Sequence, residues 1–279
     1  MTMPVFLRDL TRHGSSLLGG VLIGVLILMA VLAPVVAPYS PDERRSGEER
    51  LAPGSAHLLG SDELGRDLLS RLLYGARLSL LVGVVSVGIA VTLGLSVGLV
   101  SGYAGGGWDL VLMRVMDMML AFPSILLAIV IVAILGPSLG NAMLSVGLVA
   151  VPSYARLTRA SVLQEKERDY VSAARSLGAS HGRIVMKAIL PNILAPLIVQ
   201  CTLGFATAIL DAAGLSFLGL GAQPPQIEWG LMLKSGKDLV LIAWWLVTFP
   251  GLLILLSVLG FNLLGDGLRD VLDPRLKRR

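Results

Sequence analysis

Residues 78–108 read LSLLVGVVSVGIAVTLGLSVGLVSGYAGGGW, 31 residues with no charged side chain. About 20 apolar residues carry a helix across the hydrocarbon core of a bilayer. No water there pairs stray backbone N–H and C=O groups, so a spanning segment must satisfy its hydrogen bonds internally. The stretch therefore decides the class: all-α, a polytopic membrane protein. Residues 14–41, 118–155, 188–210 and 239–265 are also free of charge. The run 118–155 is too long for one crossing, and Gly136-Pro137-Ser138-Leu139-Gly140-Asn141 divides it. Six spans are expected, near 17–38, 78–101, 115–135, 140–158, 192–212 and 240–263. The uncharged stretch 212–227 is too short for a seventh and is broken by Gly219, Gly221, Pro224 and Pro225, so it reads as a re-entrant or external loop. The first span is about twice as long as the apolar core of a signal peptide and reads as retained.

Composition agrees. Of 279 residues, 54% are hydrophobic and only 15% charged, against about 25% charged in soluble domains. The net charge of +4 needs no nucleic acid, because basic cytoplasmic loops produce it. With the N-terminus inside, segments 1–16, 102–114, 156–191 and 264–279 hold 15 of the 23 Lys and Arg, and the outside segments 39–77 and 213–239 hold 8. Both termini are thus expected in the cytoplasm. Cys201 is the lone cysteine, and His13, His57 and His181 are far apart, so no metal site is expected.

Two polar segments carry more information. After the first span, Ser61 is a plausible helix cap. Leu64, Leu68, Leu69, Leu72, Leu73 and Ala76 form one apolar helical face, suited to lying on the membrane surface or packing on its own bundle. The inside loop 156–191 is long for a passive connection. Tyr170 to Leu177 suits a short helix, Gly178 the left-handed residue that ends one, and 181–190 a second helix ending at Pro191. Small Ala173 and Ala174 would let the first helix seat closely against a neighbour. Spacing alone leaves a docking element and a solvated connector equally open. The expected division is 1–77, with tail, first span and external loop, and a core unit, 78–279, with the other five spans.

The string 169–191 resembles the coupling loop of ATP-binding cassette (ABC) importer permeases: Ser172-Ala173-Ala174-x-x-x-Gly178, ending in Ile189-Leu190-Pro191, with Ser172 where that family has Glu. Further blocks are similar to the C-type permease of dipeptide and oligopeptide importers. They are Leu59-Gly60-Ser61-Asp62-x-x-Gly65-Arg66-Asp67, Met113-Arg114-x-x-Asp117, Ala121-Phe122-Pro123, Gly219-Leu220-Gly221-Ala222-Gln223-Pro224-Pro225 and Gly265-Asp266-Gly267-Leu268-Arg269-Asp270, continuing to Leu272-Asp273-Pro274. The resemblance implies the type I importer permease fold in a bacterial inner (cytoplasmic) membrane. Its implied partners are a B-type permease forming a heterodimer, two cytoplasmic ATPases that bind the ATP and Mg, and a periplasmic peptide-binding protein. It also implies that Asp169, Tyr170, Val171, Ala173, Ala174, Arg175, Leu177 and Gly178 meet an ATPase. Related permeases serve nickel and other small solutes.

The chain holds no nucleotide site of its own. A phosphate-binding loop needs Gly-x-x-x-x-Gly-Lys-[Ser/Thr]; Gly236-Lys237 is followed by Asp238, and Leu231 occupies the first glycine position. A secondary transporter usually carries ionisable groups inside its spans. Only Asp117 and Asp211 come near, either as interfacial residues or as part of a substrate path. No Ser-His-Asp or metal constellation suggests a membrane enzyme. Gly94, Gly98 and Gly102, at Gly-x-x-x-Gly spacing, read as a close helix contact.

Overall fold

A computed structural model describes residues 14–272, which are helical with connecting turns and one isolated bridge, Ser61 with Asp67. Arg8, Arg12, His13, the Asp273-Pro274 pair and the basic residues after it lie outside the described residues. The helices are α1 Gly14–Val36, α2 Leu68–Ala104, α3 Gly106–Leu120, α4 Ser124–Leu135, α5 Leu139–Lys166, α6 Asp169–Ser176 and α7 His181–Arg183. A π-helical stretch, Ile184–Ile189, leads into α8 Leu190–Phe217, followed by α9 Trp229–Gly236 and α10 Trp245–Leu272.

Four helical stretches are long and apolar enough to cross a membrane: Gly14–Val36, Leu68–Ala104, His181–Phe217 and Trp245–Leu272. The pair α3 and α4 makes a fifth if a 94° bend between them is counted as one broken span. The bend falls at Ala121-Phe122-Pro123, where proline disfavours helix in the residue before it. The expected single helix over 115–135 is therefore two. The sixth expected crossing, 140–158, falls on α5, which is long enough but too polar to qualify on composition.

Three local expectations are corrected. Asp67, not Ser61, caps α2, its carboxylate accepting from Ser70 N at 2.7 Å. Ser61 instead faces the loop, accepting from Leu51 N and donating to Glu48 O. Asp62 is engaged by the amides of Leu64 and Arg66, so residues 62–66 form a turn and the helix starts only afterwards. The expected surface helix is thus the first turns of α2 itself. Pro191 does not end a helix. The π-helical pairing ahead of it shifts the backbone out of the i to i−4 register that proline breaks, and helix continues to Phe217. The last span begins at Trp245, not 240.

Small residues set the packing. A Cβ on Gly94 would fall 2.4 Å from Tyr154 Cβ, one on Gly98 2.4 Å from Thr158 Cβ, and one on Gly102 2.8 Å from Val162 Cβ. Residue numbers rise together on both sides, so α2 and α5 run the same way in close contact. α8 runs opposite: Gly83 of α2 meets Phe205 and Ile209, and Gly75 meets Trp229 beyond its end. α1 and α10 are antiparallel, with Ser16 on Gly267 and Gly19 on Gly260 and Leu264. One core joins α2, α4, α5, α6 and α8; a second joins α1, the start of α2, α9 and α10. The position 77/78 lies inside α2. At about 1.5 Å per residue, the 37 residues of α2 hold the loop 37–67 and the loop 167–180 roughly 55 Å apart, at opposite ends of the bundle.

Candidate functional site

The segment 169–178 is a two-turn helix and its cap. α6 begins at Asp169, whose charge suits the helix N-terminus. It ends in a paired-amide cap: Ala179 N donates to Ala174 O at 3.1 Å, and Gly178 N to Arg175 O at 3.0 Å. This arrangement needs a left-handed residue at the second position past the helix, and Gly178 supplies it with φ 78°. Ala174 and Ala179 then meet the core together with fully buried Val171.

The two alanines therefore differ. Ala174 is turned inward and half-buried, whereas Ala173 is exposed with Ser172, Arg175 and Ser176. Leu177 is 88% exposed, an apolar side chain with nothing of its own chain over it. Tyr170 fixes the helix from the other end. Its hydroxyl donates to Glu165 Oε2 at 2.6 Å and accepts from Asn192 Nδ2 at 3.2 Å. Desolvation and the Glu165 carboxylate push its pKa up to about 12, so it stays a donor at neutral pH. α6 thus presents a small outer face ending in Leu177, held to α5 and α8.

The two aspartates are not brought together. Asp117 lies on α3 and pairs with Arg156 of α5 at 2.5 Å, both side chains about half exposed. Asp211 lies two residues after Ile209, which packs at Gly83 in the opposite half of α2, and among the described residues no cation is within pairing distance of it. Sequence reading missed a second pair in the same corner: Arg159 donates to both oxygens of Asp109, at 2.6 and 2.7 Å, and Ser101 donates to the same carboxylate. It also missed the buried His57, set between Asp67 and Glu48 in the other loop.

Residues 90–278 match the family described as the binding-protein-dependent transport system inner membrane component, and residues 5–53 match the N-terminal TM domain of oligopeptide transport permease C. The chain is 55% identical over 280 residues to the dipeptide transport system permease protein DppC of Escherichia coli, covering 98% of this chain and 93% of that protein. It is 54% identical over 272 residues to the di/tripeptide transport system permease protein DppC of Pseudomonas aeruginosa, covering 95% and 90%. A solved inward-facing structure of the MetNI methionine ABC transporter superposes with TM-score 0.58 at 22% identity, covering 72% of this chain and 96% of that one.

Proposed function

The chain belongs to the family of binding-protein-dependent transport system inner membrane components, and from that we propose that it is the C-type permease subunit of an ABC importer carrying dipeptides or short oligopeptides. It is a multi-pass inner-membrane transport permease with the type I importer fold, and it works with ATPase and substrate-binding partners. We assign it a B-type permease as heterodimeric partner, two cytoplasmic ATPases that hold ATP and Mg, and a periplasmic protein that delivers the peptide. Residues 1–77 form the N-terminal unit and 78–279 the permease core. Both termini and α6 face the cytoplasm, in keeping with the basic residues there.

The observation that carries the coupling role is the outer face of α6. Exposed Ala173 and Leu177 form a small apolar surface at one end of the bundle, and its angle is fixed from within by Val171, Ala174 and the Gly178 cap. Such a face can enter a groove on an ATPase, so that closure of the ATPases pushes α6 and, through it, α5 and α8. Gln164, Glu167 and Arg168 flank it as solvated side chains, not as packing.

The test replaces Ala173 with Glu and Gly178 with Val in the complete transporter. An unpaired charge carried into an interface costs several kcal/mol, and a β-branched residue resists positive φ. Both variants should insert normally but retain less ATPase on purification or hydrolyse ATP without uptake. Glu49→Ala, in the loop at the other end, should do neither. Wild-type retention and uptake in both α6 variants would reduce 169–178 to a connector.

A further inference from the structure

α3 is weakly seated by apolar contact. Of its fifteen residues only Met116 is buried, against Val151 and Ala155, with Met113 and Met119 partly buried beside it. What fixes its angle on α5, beyond that small apolar contact, is charge. Arg159 forks onto Asp109 at 2.6 and 2.7 Å, and one turn earlier Arg156 reaches Asp117 at 2.5 Å. Bidentate guanidinium–carboxylate pairs fix angle as well as distance. Ser101, in the last turns of α2, donates to Asp109 as well. The same corner is gripped twice more. Lys166 Nζ, at the end of α5, donates to Tyr103 O at 3.0 Å, and the Tyr103 hydroxyl lies 2.8 Å from His181 Nδ1 at the start of α7.

These contacts surround α6. α6 begins three residues after Lys166, the last residue of α5, and α7 begins four residues after Leu177. α3 leads from the corner directly to the 94° bend at residues 121–123. Resting on the coupling role proposed for α6, we propose that Arg159 and Asp109, seconded by Arg156 and Asp117, are positioning residues that carry displacement of α6 through α5 into α3, and so to the bend before α4. Without them α5 can move while α3, having one buried side chain, stays behind. Neutralising a pair would leave the ATPase contact intact and break the link from hydrolysis to peptide movement.

The experiment uses the whole transporter in proteoliposomes, with binding protein and dipeptide. It reads three quantities: ATPase subunits retained, ATP hydrolysed, and peptide taken up. Asp109→Asn and Arg159→Gln should keep retention and hydrolysis within about twofold and lower peptide moved per ATP about tenfold, the scale of losing a charged hydrogen-bonded contact. Arg159→Lys, which keeps the charge and loses the fork, should fall between. The exchange Asp109→Arg with Arg159→Asp should recover most of the ratio. A wild-type ratio in the neutral variants overturns the proposal, as does a loss that neither Arg159→Lys nor the exchange relieves. If the neutral variants do not assemble, the exchanged protein decides: a wild-type ratio supports the linkage, and failure to assemble overturns it. Failure of the α6 reading shows separately, as wild-type ATPase retention and wild-type uptake in both Ala173→Glu and Gly178→Val.

Discussion

His57 and Asp67 are joined in the loop before α2, His57 Nδ1 lying 2.8 Å from Asp67 Oδ1 with both side chains shut from solvent. The other oxygen of Asp67 accepts from Ser70 N and Oγ, each at 2.7 Å, so one carboxylate caps the longest helix and anchors the loop. His57 Nε2 faces Glu48 Oε2 at 2.9 Å. Two carboxylates on two ring nitrogens require two N–H donors, which only the protonated imidazole has.

The first prediction follows from that charge. Burial alone would lower the His57 pKa, but the hydrogen bonds it donates to Asp67 and Glu48, and their negative charge, outweigh it and hold it above its ordinary value. A raised folded pKa means that the stabilisation is complete below the unfolded value of about 6.5 and is lost as pH rises through the folded value. Thermal unfolding of the purified transporter should shift to lower temperature across that rise. His57→Gln should be less stable at low pH and flatter across the range. An unchanged slope in His57→Gln would assign the pH response elsewhere.

The seam between α2 and α5 gives a second. A side chain at Gly98 must displace Thr158 Cβ and Ala155 O, 2.4 and 2.6 Å from the position of its Cβ, whereas Gly88, on the same helix, has nothing within 4 Å. Overpacking of this kind costs about 1–3 kcal/mol. Gly98→Val should lower resistance to denaturing detergent by that order, and Gly88→Ala should leave it unchanged. Equal behaviour of the two would mean that the helices part readily at this level.

That seam was legible because small residues four apart share one helix face. The α6 segment was legible too, through the resemblance and through Gly178. Which alanine faces out was not, since Ala173 and Ala174 are alike in type and only packing of Val171 orients the helix. Asp109 and Arg159 are fifty residues apart and leave no local signature. The bend at Pro123 lay hidden in an uncharged run whose length drew attention to Gly136 and Pro137. The cap of α2 went to Asp67 over Ser61 because the turn had already engaged Asp62, a competition between two good candidates that spacing does not rank.

Topology is testable from positions the structure leaves open. His57 is unsuitable for labelling, being 1% exposed. Ser55 and Ser180 are exposed, in the loops at opposite ends of α2. In a Cys201→Ala background, Ser55→Cys should react with an impermeant thiol reagent once the outer barrier is opened, and Ser180→Cys only after lysis. The reverse pattern, or labelling of both from outside, would overturn the cytoplasmic placement of α6.

Leu177 offers the sharpest contrast. Its side chain is 88% exposed, while Val171, two turns earlier on α6, is fully buried in the core shared with α5 and α8. If an ATPase groove covers Leu177, burying it contributes about 1.5–3 kcal/mol to that contact, and a tenfold change in affinity corresponds to about 1.4 kcal/mol. Leu177→Ser should therefore weaken ATPase association about tenfold or more while the permease unfolds as wild type, because it removes no contact within the chain. Val171→Ser should do the opposite first, losing stability by a core truncation that also buries a hydroxyl, with association falling only as the fold fails. Titration of the purified ATPase against permease in nanodiscs, alongside thermal unfolding of each variant, separates the two. Undiminished association in Leu177→Ser would place the ATPase contact away from the end of α6.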